Sequence, residues 1–77
     1  MKLNIKYFGL IAELTEISDE KVIFSGSTIS DVLDILIIKY PKLKHKDFKV
    51  AMNQEIVSND SIVTNEDIAL LPPFSGG

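Results

Sequence analysis

The class of fold is decided by one segment of this chain, Thr28-Ile29-Ser30-Asp31-Val32-Leu33-Asp34-Ile35-Leu36-Ile37-Ile38-Lys39-Tyr40-Pro41. Its apolar residues recur at the spacing of one helix face, and this stripe contains Ile29, Val32, Leu33, Leu36, Ile37 and Tyr40. Thr28 and Asp31 resemble a capping box at the start of the helix. Pro41 ends the helix because it cannot continue the backbone hydrogen bonding. The segment therefore predicts one amphipathic helix that covers a core, with Ile38 on the outer side.

The residues before this helix predict two strands joined by a short helical turn. Residues 2–8 alternate polar and apolar up to Tyr7, which places Leu3, Ile5 and Tyr7 inward and Phe8 on the other face. Residues 10–14 predict one helical turn, and residues 17–20 a polar connection. Residues 21–25 are β-branched and aromatic and predict the second strand.

The residues after the helix predict two or three further strands. Residues 48–52 form the third strand in this interpretation, and residues 53–55 make a tight turn into Ile56 and Val57. The near-continuous apolar run over residues 68–71 indicates a strand that is covered on both faces or lies at the sheet centre. Residues 1–77 therefore predict a single α+β domain in which one main helix covers one sheet.

The chain ends in an unusual tail, Leu70-Leu71-Pro72-Pro73-Phe74-Ser75-Gly76-Gly77. The two prolines fix φ and lack N–H groups, so the preceding strand must end and an extended arm begins at about residue 72. Gly76 and Gly77 lack Cβ, which makes the tip thin and leaves its carboxylate open to attack. From Phe74 onward the arm would reach roughly 13 Å into a cleft of a partner. The pattern indicates a segment whose role is to deliver its terminal carboxyl group to a partner.

Composition excludes several kinds of partner and site. The chain has 77 residues, a net charge of −3, no cysteine and no arginine. Absence of cysteine excludes disulfides, thiolate metal sites and cysteine nucleophiles. Arginine is the side chain that binds phosphates and guanines through two parallel hydrogen bonds. Since the chain contains no arginine, no nucleic-acid partner is expected. No apolar run reaches membrane-spanning length and the start lacks a signal-type apolar region, so a cytoplasmic protein without a membrane partner is expected.

The side chains provide no candidate active site of their own. The carboxylates are scattered, which argues against a metal site, and His45 is the single histidine, without a nucleophile in a suitable context. Gly9 and Gly26 stand alone, so no phosphate-binding loop and no bound cofactor are expected. The most reactive group on display is the carboxylate of Gly77, which a partner must activate, most simply as an acyl-adenylate.

Five of the eight lysines lie within residues 39–49, namely Lys39, Lys42, Lys44, Lys46 and Lys49. Cations near the negative end of a helix stabilise it and keep a loop soluble. The alternative is a weak electrostatic docking patch for an acidic partner. His45, inside this run, is expected to be a solvated loop side chain.

Several stretches together resemble the sulfur-carrier small subunit of molybdopterin synthase, the MoaD family of ubiquitin-like β-grasp proteins. They are IKYFGLIAEL (5–14), TISDVL (28–33), VAMNQE (50–55) and DIALLPPFSGG (67–77), and they span nearly the whole chain. The final Pro-Pro-x-x-Gly-Gly is the most specific of them. The resemblance implies a β-grasp fold with a mixed sheet and one main helix.

The resemblance also implies a function and a set of partners. An activating enzyme similar to the ubiquitin E1 would use ATP and Mg²⁺ to adenylate Gly77, and a desulfurase system would supply sulfur to form a thiocarboxylate. The large subunit of a heterotetrameric synthase would pass that sulfur to cyclic pyranopterin monophosphate, during molybdenum cofactor biosynthesis. The small subunit donates sulfur and is not catalytic on its own.

The resemblance assigns the arm and its base to partner contacts. Ser75 and Gly76 would thread the arm into the partner. The residues expected to contact the large subunit are Phe8, Pro72, Pro73 and Phe74. For Phe8 the alternative is an ordinary core position.

The chain departs from the family pattern at two places. It has Ala12 where members often carry an arginine, which puts one partner contact in doubt, and Asn65-Glu66 where they often have a glycine in the turn. Three other functions stay open: a sulfur carrier for thiazole or another thiolated product, a protein modifier joined to lysines through Gly77, and a non-covalent interaction module with an inert tail.

Overall fold

In this computed structural model, residues 1–73 are described, and they form one five-stranded sheet with one main helix packed on it. The elements in chain order are β1 (Lys2–Tyr7), α1 (Leu10–Thr15), β2 (Asp19–Ile23), α2 (Ile29–Lys39), a 3₁₀ helix (Pro41–His45), β3 (Lys49–Met52), β4 (Glu55–Val57) and β5 (Ile68–Leu71). The predicted α+β arrangement is confirmed.

The sheet has the strand order β2-β1-β5-β3-β4, so β5 lies at its centre. β5 runs parallel to β1, with Ile5 opposite Ile68 and Tyr7 opposite Leu70, and antiparallel to β3. A parallel pair needs a long crossover connection, and here the chain from β2 through β4, including α2, supplies it. The mixed sheet and the central position of the last strand are both as predicted.

The core lies between α2 and one face of the sheet. From β1 it receives Leu3, Ile5 and Tyr7, from β5 Ile68 and Leu70, and from α2 Ile29, Val32 and Leu36. Leu33, Ile37 and Tyr40 flank this core and are partly buried. Ile38 is 81% exposed, as its place on the outer side of α2 predicts. Burial of each large aliphatic side chain stabilises the fold by about 1.5–3 kcal/mol.

The start of α2 is held by the predicted capping box. The backbone N–H of Asp31 donates to Oγ1 of Thr28 at 3.4 Å, and the Asp31 carboxylate accepts from the N–H of Thr28 at 3.0 Å. The same carboxylate accepts from the N–H of Ser27 at 2.8 Å. These backbone bonds from Ser27 and Thr28 lower the pKa of the Asp31 carboxyl. The cap therefore works through an ionised carboxylate.

Several element boundaries differ from the prediction. β2 begins at Asp19 and ends at Ile23, so the expected polar connection over residues 17–20 is wrong in its second half. The reason is tertiary, since Asp19 and Glu20 pair with Lys6 and Ile5 of β1. The 3₁₀ helix that follows α2 was not predicted either. It begins at a proline, whose fixed φ suits a first helical position, and it is anchored by Leu43, which is 1% exposed.

No helix within residues 1–73 is both long and apolar enough to cross a lipid bilayer.

Candidate functional site

The base of the C-terminal arm lies beside the turn that follows β1. β5 ends at Leu71, and Pro72 and Pro73 follow it as half-buried and exposed residues. Because β5 and β1 are parallel, their carboxyl ends lie at the same edge of the sheet. The backbone N–H of Phe8 donates to the carbonyl of Leu70 at 3.2 Å and extends this pairing. Phe8 and the base of the arm, which are far apart in the sequence, are therefore adjacent in the fold.

Gly9 and Pro72 are in close contact at this edge. Gly9 has a φ of +56°, and a Cβ added to it would lie 2.9 Å from Cγ of Pro72. A side chain at this position would be strained by the backbone conformation and would also overlap the proline ring. The turn after β1 and the start of the arm are thus packed without room between them.

The sheet face opposite α2 carries an exposed apolar area next to the arm. Register places Ala51 opposite Ala69 and also opposite Ile56, and residues directly opposite each other share a face. Phe8 is 45% exposed and Ile56 is 55% exposed. The alternative that Phe8 is an ordinary core residue is therefore wrong. We call this area the open face, defined by Phe8, Ala51, Ile56, Ala69 and Leu71.

A hollow of about 360 Å³ lies over the open face. Its apolar lining comes from Phe8, Ala51 and Ala69. The two alanines lie opposite each other on adjacent strands, and their small side chains leave a depression in the surface of the sheet. An ion pair at the rim joins Nζ of Lys6 to the carboxylate of Asp67 at 3.3 Å. The remaining lining is polar and consists of Asn53, Gln54, Asn65 and Glu66. Asn65-Glu66, where the chain departs from the family pattern, therefore borders this hollow.

A partly buried hydrogen-bond cluster supports β1 on the other side of the sheet. The Glu20 carboxylate accepts from the hydroxyl of Tyr7 at 2.6 Å and from the hydroxyl of Tyr40 at 2.7 Å, and it forms an ion pair with Lys39. The two tyrosine rings meet edge to face with centroids 6.0 Å apart. The cluster thereby ties together β1, β2 and the end of α2.

The protonation states of this cluster follow from its surroundings. Burial, followed by the hydrogen bond to Glu20, raises the pKa of Tyr7. Burial of Glu20 by itself raises its pKa, but hydrogen bonds from Lys39, Tyr7 and Tyr40 outweigh burial and lower it. The cluster is therefore an ionised carboxylate held by neutral tyrosines and one ammonium group. Sequence reasoning missed it, because its members are far apart in the chain and no local pattern marks them.

The lysine-rich segment is divided by the fold. Lys39 pairs with Glu20, whereas Lys49 lies on the sheet opposite Leu71. Lys42, Lys44 and Lys46 are exposed on and after the 3₁₀ helix, and His45 among them is exposed as expected. Lys39 is therefore engaged in an ion pair, and Lys49 belongs to the sheet.

The predicted site residues fall into two groups. Phe8, Pro72 and Pro73 come together at one edge of the sheet. Phe74, Ser75, Gly76 and Gly77 lie outside the described residues. Among residues 1–73, no group of three or more metal-ligating side chains is arranged to hold a metal ion.

The chain is similar to proteins of one family along its whole length. A model of the ThiS family matches residues 5–77. A protein of Arabidopsis thaliana, named molybdopterin synthase sulfur carrier subunit, is 35% identical over 100% of this chain and 84% of its own length. A Mycobacterium tuberculosis protein of the same name is 28% identical over 100% of this chain and 99% of its own length.

Solved structures share the fold. SAMP1 of Haloferax volcanii has a TM-score of 0.82 at 26% identity, with 100% of both chains covered. A putative molybdopterin converting factor subunit 1 of Pyrococcus furiosus has a TM-score of 0.88 at 21% identity, with 96% of this chain and 99% of that chain covered. A complex of subunits 1 and 2 of molybdopterin-converting factor from Helicobacter pylori has a TM-score of 0.69 at 18% identity, with 100% of both chains covered. The ubiquitin-like β-grasp fold is therefore confirmed. With the family model matched over residues 5–77 and the Arabidopsis relative matched over the whole chain, this protein belongs to the ThiS family, as the resemblance to sulfur-carrier subunits indicated.

Proposed function

We propose that this chain is the sulfur-carrier subunit of a molybdopterin synthase and that it delivers sulfur on the C-terminal carboxyl of Gly77. The observation that carries the proposal is the position of the base of the arm. Pro72 and Pro73 leave the sheet beside the exposed Phe8, in a chain whose relatives are named molybdopterin synthase sulfur carrier subunits. The chain supplies a group to be modified, and its partners supply the catalysis.

The chemistry begins with activation, because a carboxylate is a poor electrophile. On an E1-like activating enzyme, an oxygen of the Gly77 carboxylate attacks the α-phosphate of Mg²⁺-bound ATP, pyrophosphate leaves and an acyl-adenylate forms. Hydrosulfide, which a thiol reductant releases from the persulfide of a desulfurase, then attacks the acyl carbon, AMP leaves and a thiocarboxylate remains. The two terminal glycines suit this sequence of steps because no side chain obstructs the approach to the acyl carbon.

The open face is the surface that we assign to the large subunit. It combines exposed apolar side chains with a polar rim and lies next to the base of the arm, and exposed apolar areas of this kind mark interaction sites. The Helicobacter pylori complex of converting factor subunits 1 and 2 supports a large-subunit partner for this fold. Docking through Phe8 and its neighbours would place the base of the arm at the partner surface, from which the large subunit passes sulfur to cyclic pyranopterin monophosphate.

The deciding experiment measures the intact mass of the chain after incubation with the activating enzyme, ATP and a sulfide source. We expect a gain equal to the mass difference between sulfur and oxygen, assigned to Gly77 by fragmentation. A chain that lacks Gly77 is the control, and it should fold normally and show no gain. An unmodified wild-type chain under these conditions would refute the carrier role.

A second candidate is a protein modifier. SAMP1 of Haloferax volcanii is named a small archaeal modifier protein, and its similarity to this chain favours this alternative. Here a lysine amine of a target would attack the acyl-adenylate, AMP would leave and an isopeptide bond would form. Chymotryptic cleavage after Phe74 would leave Ser75-Gly76-Gly77 on the modified lysine. Such remnants on proteins of the native cell would support the modifier role, and their absence in cells that contain the thiocarboxylate form would exclude it.

A further inference from the structure

The contact between Gly9 and Pro72 joins the turn after β1 to the first residue of the arm. Gly9 precedes α1 with φ +56° and ψ −133°, a combination that side chains with a Cβ rarely adopt. A Cβ there would lie 2.9 Å from Cγ of Pro72, 3.6 Å from its Cδ and 3.8 Å from its Cβ. The first distance is shorter than real Cβ contacts show, so a side chain at residue 9 must displace the proline ring or the turn.

The turn itself is held on both sides. The N–H of Tyr7 donates to the carbonyl of Ser18 at 2.8 Å, and the N–H of Ile11 donates to the carbonyl of Phe8 at 3.1 Å. Tyr7 is buried and bound to Glu20 through its hydroxyl. The turn therefore resists movement, whereas Pro72 follows the last residue of β5 and is only partly buried. An added Cβ would act mainly on the proline.

We propose that Gly9 is a positioning residue. Because it has no side chain, Pro72 can pack directly against it, and this contact sets the direction in which the arm leaves the sheet. The inference rests on the proposed function, since direction matters only if Gly77 must reach a reaction centre on a partner. Displacement of a reacting group by about 1 Å can cost on the order of 10²-fold in rate. Gly9 acts through Pro72 and touches no reacting atom.

The test is a double-variant cycle with Gly9→Ala, Pro72→Ala and both changes together. Pro72→Ala removes Cγ and Cδ and leaves a Cβ at 3.8 Å from the new methyl group, which is an ordinary contact distance. The backbone strain of Ala at residue 9 is present in both backgrounds, so it cancels in the cycle. We expect Gly9→Ala to lower kcat/KM for ATP-dependent activation of Gly77 on the order of tenfold or more in the wild-type background. The loss should be much smaller when residue 72 is alanine.

Gly26→Ala is the matched control. Its Cβ would lie 2.6 Å from Cβ of Asp31 and 2.9 Å from Cε1 of Phe24, so this variant is also crowded. It lies at the opposite end of the sheet, where the N–H of Phe24 donates to the carbonyl of Met1. We expect a lower melting temperature and an unchanged kcat/KM, measured where all variants are folded.

Two readouts separate the outcomes. In wild-type protein, a nuclear Overhauser effect between Gly9 Hα and Pro72 Hγ should be strong. Its absence would refute the packing of Pro72 on Gly9, and this test needs no partner protein. Equal kcat/KM for Gly9→Ala and wild type, or an equal loss in both backgrounds, would overturn the positioning role alone. Failure of the wild-type chain to be activated would instead refute the proposed function.

Discussion

Truncation of Leu36 is the most direct test of how α2 packs on the sheet. Leu36 lies on the inner side of α2, is 0% exposed and belongs to the same core cluster as the buried residues of β1 and β5. Replacement by alanine removes buried carbon atoms and leaves a cavity, which costs about 2–5 kcal/mol for leucine in a core. A domain of 77 residues is stable by roughly 4–12 kcal/mol, at about 0.05–0.15 kcal/mol per residue. The substitution therefore removes a large share of the free energy of unfolding.

The expected shift in melting temperature follows from the size of the domain. For domains of this size, 1 kcal/mol corresponds to about 4–8 °C, so a loss of about 3 kcal/mol lowers the melting temperature by roughly 12–24 °C. Ile38→Ala is the matched control, because it truncates another large aliphatic residue of the same helix that is 81% exposed. It should change the stability by no more than about 0.5 kcal/mol.

Urea and thermal denaturation, both followed by far-ultraviolet circular dichroism, measure these differences. The expected result is a large loss for Leu36→Ala and almost none for Ile38→Ala. Equal losses for the two variants, or a loss below about 1 kcal/mol for Leu36→Ala, would refute the assignment of the inner side of α2.

Three further predictions concern the carboxylate cluster, the helix cap and the tail. Since the pKa of Glu20 is lowered below its ordinary value of 4.5, its stabilising effect is present above that pH and is lost as the pH falls through the folded pKa. In Glu20→Gln the free energy of unfolding, measured by denaturation at a series of pH values, should therefore fall less at acidic pH than in the wild type. An equal fall in both proteins would contradict the role of the Glu20 carboxylate in the cluster. Thr28→Ala should cost about 0.5–2 kcal/mol through loss of the cap, with the control Ser30→Ala costing less; equal effects would argue against the capping box. Deletion of Gly77 should leave the melting temperature unchanged while it abolishes the thiocarboxylate mass gain, and a large loss of thermal stability would indicate that the tail is structural.

The elements that the sequence predicted well are those with a local signal. α2 repeats apolar residues at helical spacing and begins with its own capping residues, Thr28 and Asp31, so both its faces and its start were correct. β1 alternates with period two, and its three inward residues are the buried ones. The apolar run of residues 68–71 predicted a strand that is covered on both faces or lies at the sheet centre, and β5 lies at the centre.

The elements that the sequence predicted poorly depend on partners elsewhere in the chain. Asp19 and Glu20 are polar and lie after a turn, and only pairing with β1 makes them part of a strand. Leu43 lies among lysines in a segment whose composition is that of a solvated loop, but its side chain is buried in the core and the segment forms a 3₁₀ helix. The same argument applies to Lys39, whose partner Glu20 belongs to a different element.

The sequence by itself determined which residues form α2, β1 and β5, and it identified the Pro-Pro-x-x-Gly-Gly tail as the candidate functional segment. These features depend on residue spacing and backbone chemistry within a few residues, which can be read directly from the sequence. Tertiary structure alone decided the strand order, the exposure of Phe8 on the open face and the contact of Gly9 with Pro72. Those features depend on which distant segments pair, and parallel pairing of β1 with β5 is what brings the turn after β1 and the base of the arm to one edge of the sheet.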